Sequence, residues 1–107
     1  MQRKPFTIAM IGECMIELQE QADGAITMKF GGDTFNTAAY MARLGEDLGP
    51  FVSYISALGD DPYSDAMAKF WRDQGVSDDL VLRRPGKRPG LYIIKLEPSG
   101  ERHFFYW

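Results

Sequence analysis

The sequence is poor in the two residue types that most often close disulfides or bind transition metals. It contains one cysteine, Cys14, and one histidine, His103. A single cysteine has no partner for a disulfide within the chain, which favours a reducing compartment. A lone histidine gives no metal-binding motif. We therefore expect no metal site, with His103 as an ordinary strand residue and Cys14 as a small buried one.

Long apolar runs and an excess of positive charge are also missing. The apolar run near the N-terminus stops at Gly12–Glu13, and no run approaches the roughly 20 residues of a membrane span. The net charge is -3 and the pI is about 5.0, which does not suit a nucleic-acid surface. The basic run at 83–88 is typical of a solvated loop, with a phosphate patch as the alternative. These absences predict a cytoplasmic protein that binds neither membrane nor nucleic acid.

The chain does contain an alternation of apolar strands and amphipathic helices. Its 107 residues suffice for one small core. Strands are predicted at 7–11, 14–18, 25–30, 51–58 and 80–82. Helices are predicted from a cap at Asp33 or Thr34 to a left-handed Gly45, and from a cap at Asp61 to Gly75. Strand and helix alternate over the first 82 residues, which predicts an α/β fold with parallel β-α-β units.

The C-terminal quarter has the pattern of a hairpin. Strands are predicted at 90–97 and 101–107, joined by Pro98–Ser99–Gly100, where proline and glycine suit a three-residue loop. In that register Tyr92 lies opposite Tyr106 and Ile94 lies opposite Phe104, all on one face. A two-residue loop would put the two tyrosines on opposite faces.

A glycine pair marks the start of the first predicted helix. Gly31 and Gly32 let the backbone approach a ligand closely, and the first helical amides can donate to ligand oxygens. Asp33 adds an acceptor and Asn36 adds an amide, a combination that suits vicinal hydroxyls. The alternative is a plain Gly–Gly turn that is capped by Asp33.

Several segments together resemble the PfkB/ribokinase family of sugar kinases. They are Gly-Glu-Cys-Met-Ile-Glu-Leu at 12–18, Gly-Gly-x-x-x-Asn-x-Ala with Ala-Arg-Leu-Gly at 31–45, Ala-Leu-Gly-Asp-Asp-Pro-Tyr-Ser at 57–64, Pro-Gly-Leu-Tyr at 89–92 and Gly-Glu-Arg-x-Phe-x-Tyr-Trp at 100–107. The resemblance covers essentially the whole chain. It implies the N-terminal portion of a ribokinase-like α/β kinase domain, with a core at about 5–12 and 31–85 and small antiparallel lid strands at about 13–30 and 90–107.

The same resemblance implies a substrate and a binding site. It implies ATP-dependent phosphorylation of 2-keto-3-deoxy-D-gluconate, an acid sugar, to its 6-phosphate, with another sugar such as fructose or ribose as the alternative. Gly31, Gly32, Asp33 and Asn36 would line the sugar site. Glu17 falls where many members of the family carry an Asp that binds hydroxyls, and a solvated acid at a strand end is its other interpretation.

Tyr92 and Tyr106 look like the tyrosines that such kinases place over an acid sugar. Their rings would contact C–H groups and their hydroxyls would bond sugar oxygens. Strand packing or a subunit interface are the alternative roles. Phe104, Phe105 and Trp107 would also be a liability on a solvated edge. In this family such strands form a lid often shared with a second subunit, and we expect a homo-oligomer.

The sequence lacks the phosphate side of the reaction. Phosphoryl transfer needs a base, a phosphate cradle and neutralisation of charge. No P-loop is present, and neither is the Gly-Ala-Gly-Asp-like segment that carries the base in the family. We therefore interpret the chain as a fragment that is inactive alone and has no catalytic or cofactor-binding residue. ATP and Mg²⁺ would bind a longer parent protein, and a non-catalytic sugar-binding or dimerising module is the alternative.

Overall fold

The computed structural model describes residues 6–45 and 51–107. Within them lie nine strands and two helices: β1 (Thr7–Ile11), β2 (Met15–Glu20), β3 (Ile26–Gly31), α1 (Asp33–Leu44), β4 (Phe51–Ile55), β5 (Ala57–Leu58), α2 (Pro62–Asp73), β6 (Val76–Ser77), β7 (Leu82–Arg83), β8 (Leu91–Leu96) and β9 (Arg102–Tyr106). Residues 1–5, which include the first residue of the expected core range, are outside the described residues. So are residues 46–50, which fall within the expected core range of 31–85.

The first sheet is parallel and carries the core. Its strand order is β1–β4–β6, and both helices contact it. Apolar residues recur every three or four positions on each helix, so one stripe of each is buried. The buried helical residues are Phe35, Ala38 and Ala39 of α1 and Ser64, Met67, Ala68 and Trp71 of α2. The prediction of an α/β fold with a parallel core is confirmed.

The second sheet has the order β3–β2–β8–β9. The outer pairs β2–β3 and β8–β9 are antiparallel, as a hairpin requires, whereas the central pair β2–β8 is parallel. The sheet that was expected to be antiparallel is therefore mixed. Its central pair joins strands about 75 residues apart in sequence, and no local turn signal reports their relative direction.

The predicted hairpin register is confirmed. Tyr92 pairs with Tyr106 and Ile94 pairs with Phe104. The amide of Glu97 donates to the carbonyl of Glu101 at 2.8 Å, so the loop is residues 98–100. Gly100 has a φ of 85°, the left-handed conformation that the three-residue loop needs.

The short strands differ from their predictions. The strand predicted at 51–58 is divided at Ser56 into β4 and β5, which belong to different sheets. β5 pairs with β7, which occupies Leu82–Arg83 rather than 80–82. The two-residue β6 was not predicted, because two residues are too few to show a periodicity. The strand predicted at 14–18 extends further, since β2 continues to Glu20.

The second helix has the ends that the sequence predicts, and the first does not. Asp61 caps α2, with Pro62 at its first position and Gly75 following it at a φ of 83°. In contrast, the residue before α1 is Gly32, and Asp33 is the first helical residue. The predicted cap at Asp33 or Thr34 is therefore wrong. Gly45 has a φ of -91°, so the expected left-handed conformation there is also wrong.

The residues expected to be structural have ordinary surroundings. Cys14 is only 2% exposed, and burial raises the pKa of its thiol to about 11. Arg83 donates to the carbonyl of Gly59 and to Asp65, both at 2.9 Å. The other basic side chains of the 83–88 run are exposed, as the solvated-loop interpretation predicts. In the described part of the chain, no helix has the length and apolar character to cross a bilayer.

Candidate functional site

A cleft of about 530 Å³ opens between the start of α1 and the second sheet. Three parts of the chain that are distant in sequence line it: the segment that leads from β1 into β2, the first turn of α1, and the β8–β9 hairpin. The lining residues are Glu13, Met15, Gly32, Asp33, Thr34, Asn36, Tyr92, Phe104 and Tyr106. The cleft lies beyond the carboxyl end of β1, the position where open α/β sheets bind ligands.

Gly32 determines how α1 enters the cleft. Its φ is 156° and its ψ is 146°. A Cβ atom built on Gly32 would lie 2.6 Å from the backbone carbonyl oxygen of Glu13, a distance that no side chain tolerates. The carbonyl of Gly32 accepts the first helical bond, from the amide of Asn36 at 2.9 Å. Glycine at this position therefore lets the helix begin against the β1–β2 segment with its first amides at the cleft.

The first turn of α1 is anchored to strand β4 of the parallel sheet. The hydroxyls of Thr34 and buried Tyr54 are 2.7 Å apart, so Thr34 links the helix start to β4. Burial raises the pKa of Tyr54, which keeps this phenol a neutral partner. Gly12 allows the approach, because a Cβ there would overlap the side chain of Thr34. The helix start is thus held by a hydroxyl pair and one close backbone contact.

The hairpin contributes an aromatic wall. The ring centroids of Tyr92 and Tyr106 are 5.6 Å apart, and Phe104 lies 6.1 Å from Tyr92 and 6.3 Å from Tyr106. Tyr92 is buried, whereas Tyr106 is 65% exposed. A cluster of aromatic rings can contact the C–H surface of a small polar ligand.

Tyr92 is held from behind by Glu17. Its hydroxyl donates to Glu17 Oε1 at 2.6 Å. The pKa of Tyr92 is raised, first by burial and then by this hydrogen bond and the charge of Glu17. The phenol is therefore kept protonated. Gly31 packs against the same hydroxyl group: a Cβ built on Gly31 would be 2.7 Å from the Tyr92 hydroxyl oxygen.

The polar groups of the cleft are mostly hydrogen-bond acceptors. Asp33 and Glu13 supply carboxylates, and Asp33 Oδ1 accepts from the amide of Thr34 at 2.8 Å. Asn36 adds an exposed amide that both donates and accepts. Among the described residues that line the cleft there is no lysine or arginine. This set suits neutral hydroxyl groups better than anionic ones.

Five of the seven residues proposed from the sequence line this cleft together. They are Gly32, Asp33, Asn36, Tyr92 and Tyr106. Gly31 and Glu17 do not line the cleft, but both lie against the hydroxyl of Tyr92. The structure thus brings residues from positions 17 to 106 to one place.

Four lining residues were not proposed from the sequence: Glu13, Met15, Thr34 and Phe104. Phe104 could have been found, because the hairpin register already placed it beside the two tyrosines. Glu13 could also have been found, since it follows a parallel strand at its carboxyl end. Met15 and Thr34 carry no comparable signal.

The described lining of this cleft is acidic, with no cation to pair with a phosphate group. The cleft presents two carboxylates, whereas phosphates require backbone nests or cations. Within 6–45 and 51–107, no group of three or more His, Cys, Asp or Glu side chains is placed to bind a metal ion. The geometry of this cleft accordingly supports binding of a small hydroxylated ligand rather than binding of a phosphate group.

Comparison with known proteins identifies the family to which the chain belongs. The sequence profile of the pfkB family of carbohydrate kinases matches residues 6–107. The chain is 48% identical over 101 residues to the 2-dehydro-3-deoxygluconokinase of Dickeya dadantii, covering 94% of this chain and 32% of that protein. Among solved structures, fructokinase with bound ATP from Xylella fastidiosa has a TM-score of 0.82 at 28% identity, over 97% of this chain and 33% of that one.

A second structure, the 2-dehydro-3-deoxygluconokinase of Thermotoga maritima, has a TM-score of 0.81 at 25% identity, over 94% of this chain and 32% of the other. A family match over residues 6–107 shows that the chain belongs to the pfkB family of carbohydrate kinases, with a ribokinase-like fold. The chain spans about a third of the length of the curated relatives that it matches.

Proposed function

We propose that this chain forms the sugar-binding part of a kinase that phosphorylates 2-keto-3-deoxy-D-gluconate to its 6-phosphate. The observation that carries the proposal is the meeting of Asp33, Asn36, Tyr92 and Tyr106 in one cleft at the start of α1. The identities of 44–48% with 2-dehydro-3-deoxygluconokinases support this sugar as the substrate.

The contacts of the sugar follow from the chemistry of the lining. Asp33 and Asn36 face vicinal hydroxyls, where a carboxylate accepts two donors and an amide both donates and accepts. The rings of Tyr92 and Tyr106 cover the C–H surface of the sugar chain. Glu13 supplies a further acceptor in the lining of the cleft.

The charge of the cleft sets the orientation of an acid sugar. Glu13 and Asp33 would repel a substrate carboxylate that was placed between them. We therefore propose that the hydroxyl-bearing part of the sugar enters the cleft and that its carboxylate points away, toward cations that are not among the lining residues.

Calorimetric titration of the chain with 2-keto-3-deoxygluconate tests the proposal. We expect saturable binding that Asn36→Ala weakens by about tenfold, because two hydrogen bonds to the sugar are lost. Gln21→Ala is the matched control, since it removes an amide outside the cleft, and it should leave the affinity unchanged. Equal binding of D-fructose or D-ribose would contradict the assignment of the acid sugar.

A neutral sugar is the second candidate substrate. The absence of a cation among the described lining residues favours it, and so does the similarity to a fructokinase structure. In the same titration, tighter binding of fructose or ribose than of 2-keto-3-deoxygluconate would select this candidate.

We propose that phosphoryl transfer uses residues other than those of this chain. The sequence contains no Gly-Ala-Gly-Asp-like segment, and the described residues that line the cleft include no lysine or arginine. ATP and Mg²⁺ would then bind elsewhere in the whole protein. A coupled ADP-release assay with the 107-residue chain should show no turnover, and sugar-dependent ADP release by this chain would overturn the proposal.

The second sheet, β3–β2–β8–β9, is our proposed lid and subunit contact. The domain ranges expected from the sequence support this division, with lid strands at about 13–30 and 90–107 against a core at about 5–12 and 31–85. A homo-oligomer formed through this sheet, in the cytoplasm, completes the proposal. The alternative is that the chain serves as a non-catalytic binding or dimerising module.

A further inference from the structure

Glu17 and Tyr92 are joined across the parallel ladder at the centre of the second sheet. They are direct neighbours in the register of β2 and β8. The Tyr92 hydroxyl donates to Glu17 Oε1 at 2.6 Å, a short bond of the charge-assisted kind. Tyr92 lines the cleft, whereas Glu17 does not. Glu17 therefore reaches the cleft only through Tyr92.

Gly31 makes room for this arrangement from the neighbouring strand. A Cβ built on Gly31 would lie 2.7 Å from the Tyr92 hydroxyl oxygen and 3.5 Å from Glu17 Oε1. Its φ is outside the left-handed region, so the backbone itself does not require glycine there. The space above Gly31 is thus occupied by the phenol oxygen, beside the Gly32 turn that forms the cleft.

We propose that Glu17 is a positioning residue that fixes the orientation of the Tyr92 hydroxyl. We further propose that position 31 is glycine because the missing side chain leaves the space that this hydroxyl occupies. This inference rests on the proposed function and deepens it by assigning a role to each of the three residues. Glu17 makes no contact with the sugar.

The hydrogen-bond direction then determines what the sugar presents to Tyr92. A phenol has one proton, and that proton is used by Glu17. A ligand atom that reaches the Tyr92 oxygen therefore meets only lone pairs. The Tyr92 oxygen consequently selects a ligand hydroxyl, which has a proton to donate, and disfavours a carboxylate or carbonyl oxygen at the same point.

A double-mutant cycle between Glu17→Gln and Tyr92→Phe distinguishes positioning from direct contact. We expect Glu17→Gln to weaken sugar binding by about fivefold, because a neutral amide holds the phenol less firmly than a carboxylate does. In the Tyr92→Phe background the same substitution should change the Kd by less than about twofold. A full fivefold loss in that background means that Glu17 binds the sugar directly and overturns the proposal.

A steric test uses Gly31→Ala. In the wild-type background the new methyl meets the Tyr92 hydroxyl, and we expect the melting temperature to fall by about 4 °C or more. With Phe at position 92 the nearest side-chain atoms are the Glu17 carboxylate oxygen at 3.5 Å and the ring carbon at 3.9 Å, both ordinary contacts. Gly31→Ala should then cost about 1 °C or less. An equal fall in both backgrounds overturns the role of Gly31.

A spectroscopic readout needs no ligand. In the full chain, the Tyr92 hydroxyl proton should give a downfield, slowly exchanging proton resonance that moves upfield in Glu17→Gln and is absent in Tyr92→Phe. If the spectrum of Tyr92→Phe keeps every downfield resonance of the wild type, the positioning bond is overturned.

Failure of the positioning and failure of the proposed function give different results. If wild-type chain does not bind 2-keto-3-deoxygluconate, the proposed function fails, while the resonance and the Gly31→Ala comparison still decide whether Glu17 holds Tyr92. If the sugar binds and the cycle is additive, the proposed function stands and the positioning role is overturned.

Discussion

At the residue scale, the site depends on backbone atoms that approach one another where a side chain would not fit. Gly32 faces the carbonyl of Glu13, and Gly90 faces the carboxylate of the same residue, with a virtual Cβ only 2.7 Å from Glu13 Oε1. The β1–β2 segment is therefore packed between the start of α1 and the start of β8. Glycine is needed here for the space it leaves as much as for its conformational freedom.

Replacing Gly32 with alanine should destabilise the chain by about 2 kcal/mol or more, because the new Cβ meets backbone that cannot move without shifting β2. Urea unfolding followed by circular dichroism measures this loss. Gly86→Ala is the matched control: Gly86 has a φ of 74° but nothing lies within 4 Å of its virtual Cβ, so only the conformational cost of about 1 kcal/mol applies. Equal losses in the two variants would contradict the packing argument.

The cap of α2 gives a pH dependence whose sign is fixed by its hydrogen bonds. Asp61 accepts from the hydroxyl of Ser64 at 2.7 Å and from the amides of Tyr63 and Ser64 at 2.9 and 3.1 Å. These bonds, the Ser64 hydroxyl first, hold the pKa of Asp61 below its ordinary value of 3.8. The unfolded chain therefore takes up this proton first as the pH falls.

The stabilisation by Asp61 should be present above pH 3.8 and should be lost as the pH falls through the lowered pKa of the folded state. Asn at position 61 accepts the same amide bonds but does not titrate. We expect the advantage of wild type over Asp61→Asn, measured as the urea midpoint between pH 7 and pH 3, to shrink below about pH 4. A constant difference across that range would show that the carboxylate charge is irrelevant.

At the scale of elements, the hairpin places the aromatic wall through its loop length. Because side chains alternate along a strand, Tyr92 and Tyr106 share a face only in the register that residues 98–100 impose. The loop and the wall are therefore one structural feature, although no residue of the loop touches the cleft.

Deleting Ser99 should shorten the loop to two residues and move β9 by one position relative to β8. Tyr106 would then turn to the opposite face, and we expect the affinity for the sugar to fall by at least about tenfold. Ring-to-ring nuclear Overhauser effects between Tyr92 and Tyr106 report the register directly. Ser99→Ala keeps the loop length and should retain them, and their survival in the deletion variant would refute the register argument.

Elements were predictable where a local signal was strong. The cap, proline and glycine of α2 and the turn of the hairpin are all short-range features, and each is found where the sequence placed it. The start of α1 was misplaced because Gly32, and not a side-chain cap, precedes the helix, a choice dictated by the distant Glu13 carbonyl. The parallel β2–β8 pair and the Glu17–Tyr92 bond depend on long-range contacts that no local pattern encodes.

At the scale of the whole molecule, the second sheet exposes much apolar surface. Phe104, Phe105 and Tyr106 of β9 and the following Trp107 are each between 47% and 73% exposed, and β9 is an edge strand of its sheet within the described residues. Such an edge promotes pairing with another chain. This is the basis on which we propose the sheet as a subunit contact.

Sedimentation velocity should show concentration-dependent self-association of the chain. Phe105→Lys should reduce it, because Phe105 pairs with Ile93 on the face opposite to Tyr92 and Tyr106 and a charge there opposes burial. Tyr63→Lys replaces an equally exposed aromatic residue outside the sheet and should have no effect. Self-association that is unaltered by Phe105→Lys would place the contact elsewhere.

The placement of the two tryptophans has an optical consequence. Trp71 is fully buried between the helices and the parallel sheet, whereas Trp107, at 73% exposed, follows the hairpin strand and donates its amide to Leu91 at 2.8 Å. The first should emit at short wavelength and report the core, and the second should emit at longer wavelength and report the hairpin. The chain thus carries a built-in pair of fluorescent reporters, and Trp71→Phe or Trp107→Phe isolates either one, so that the response of the hairpin to an added ligand can be followed separately from the folding of the core.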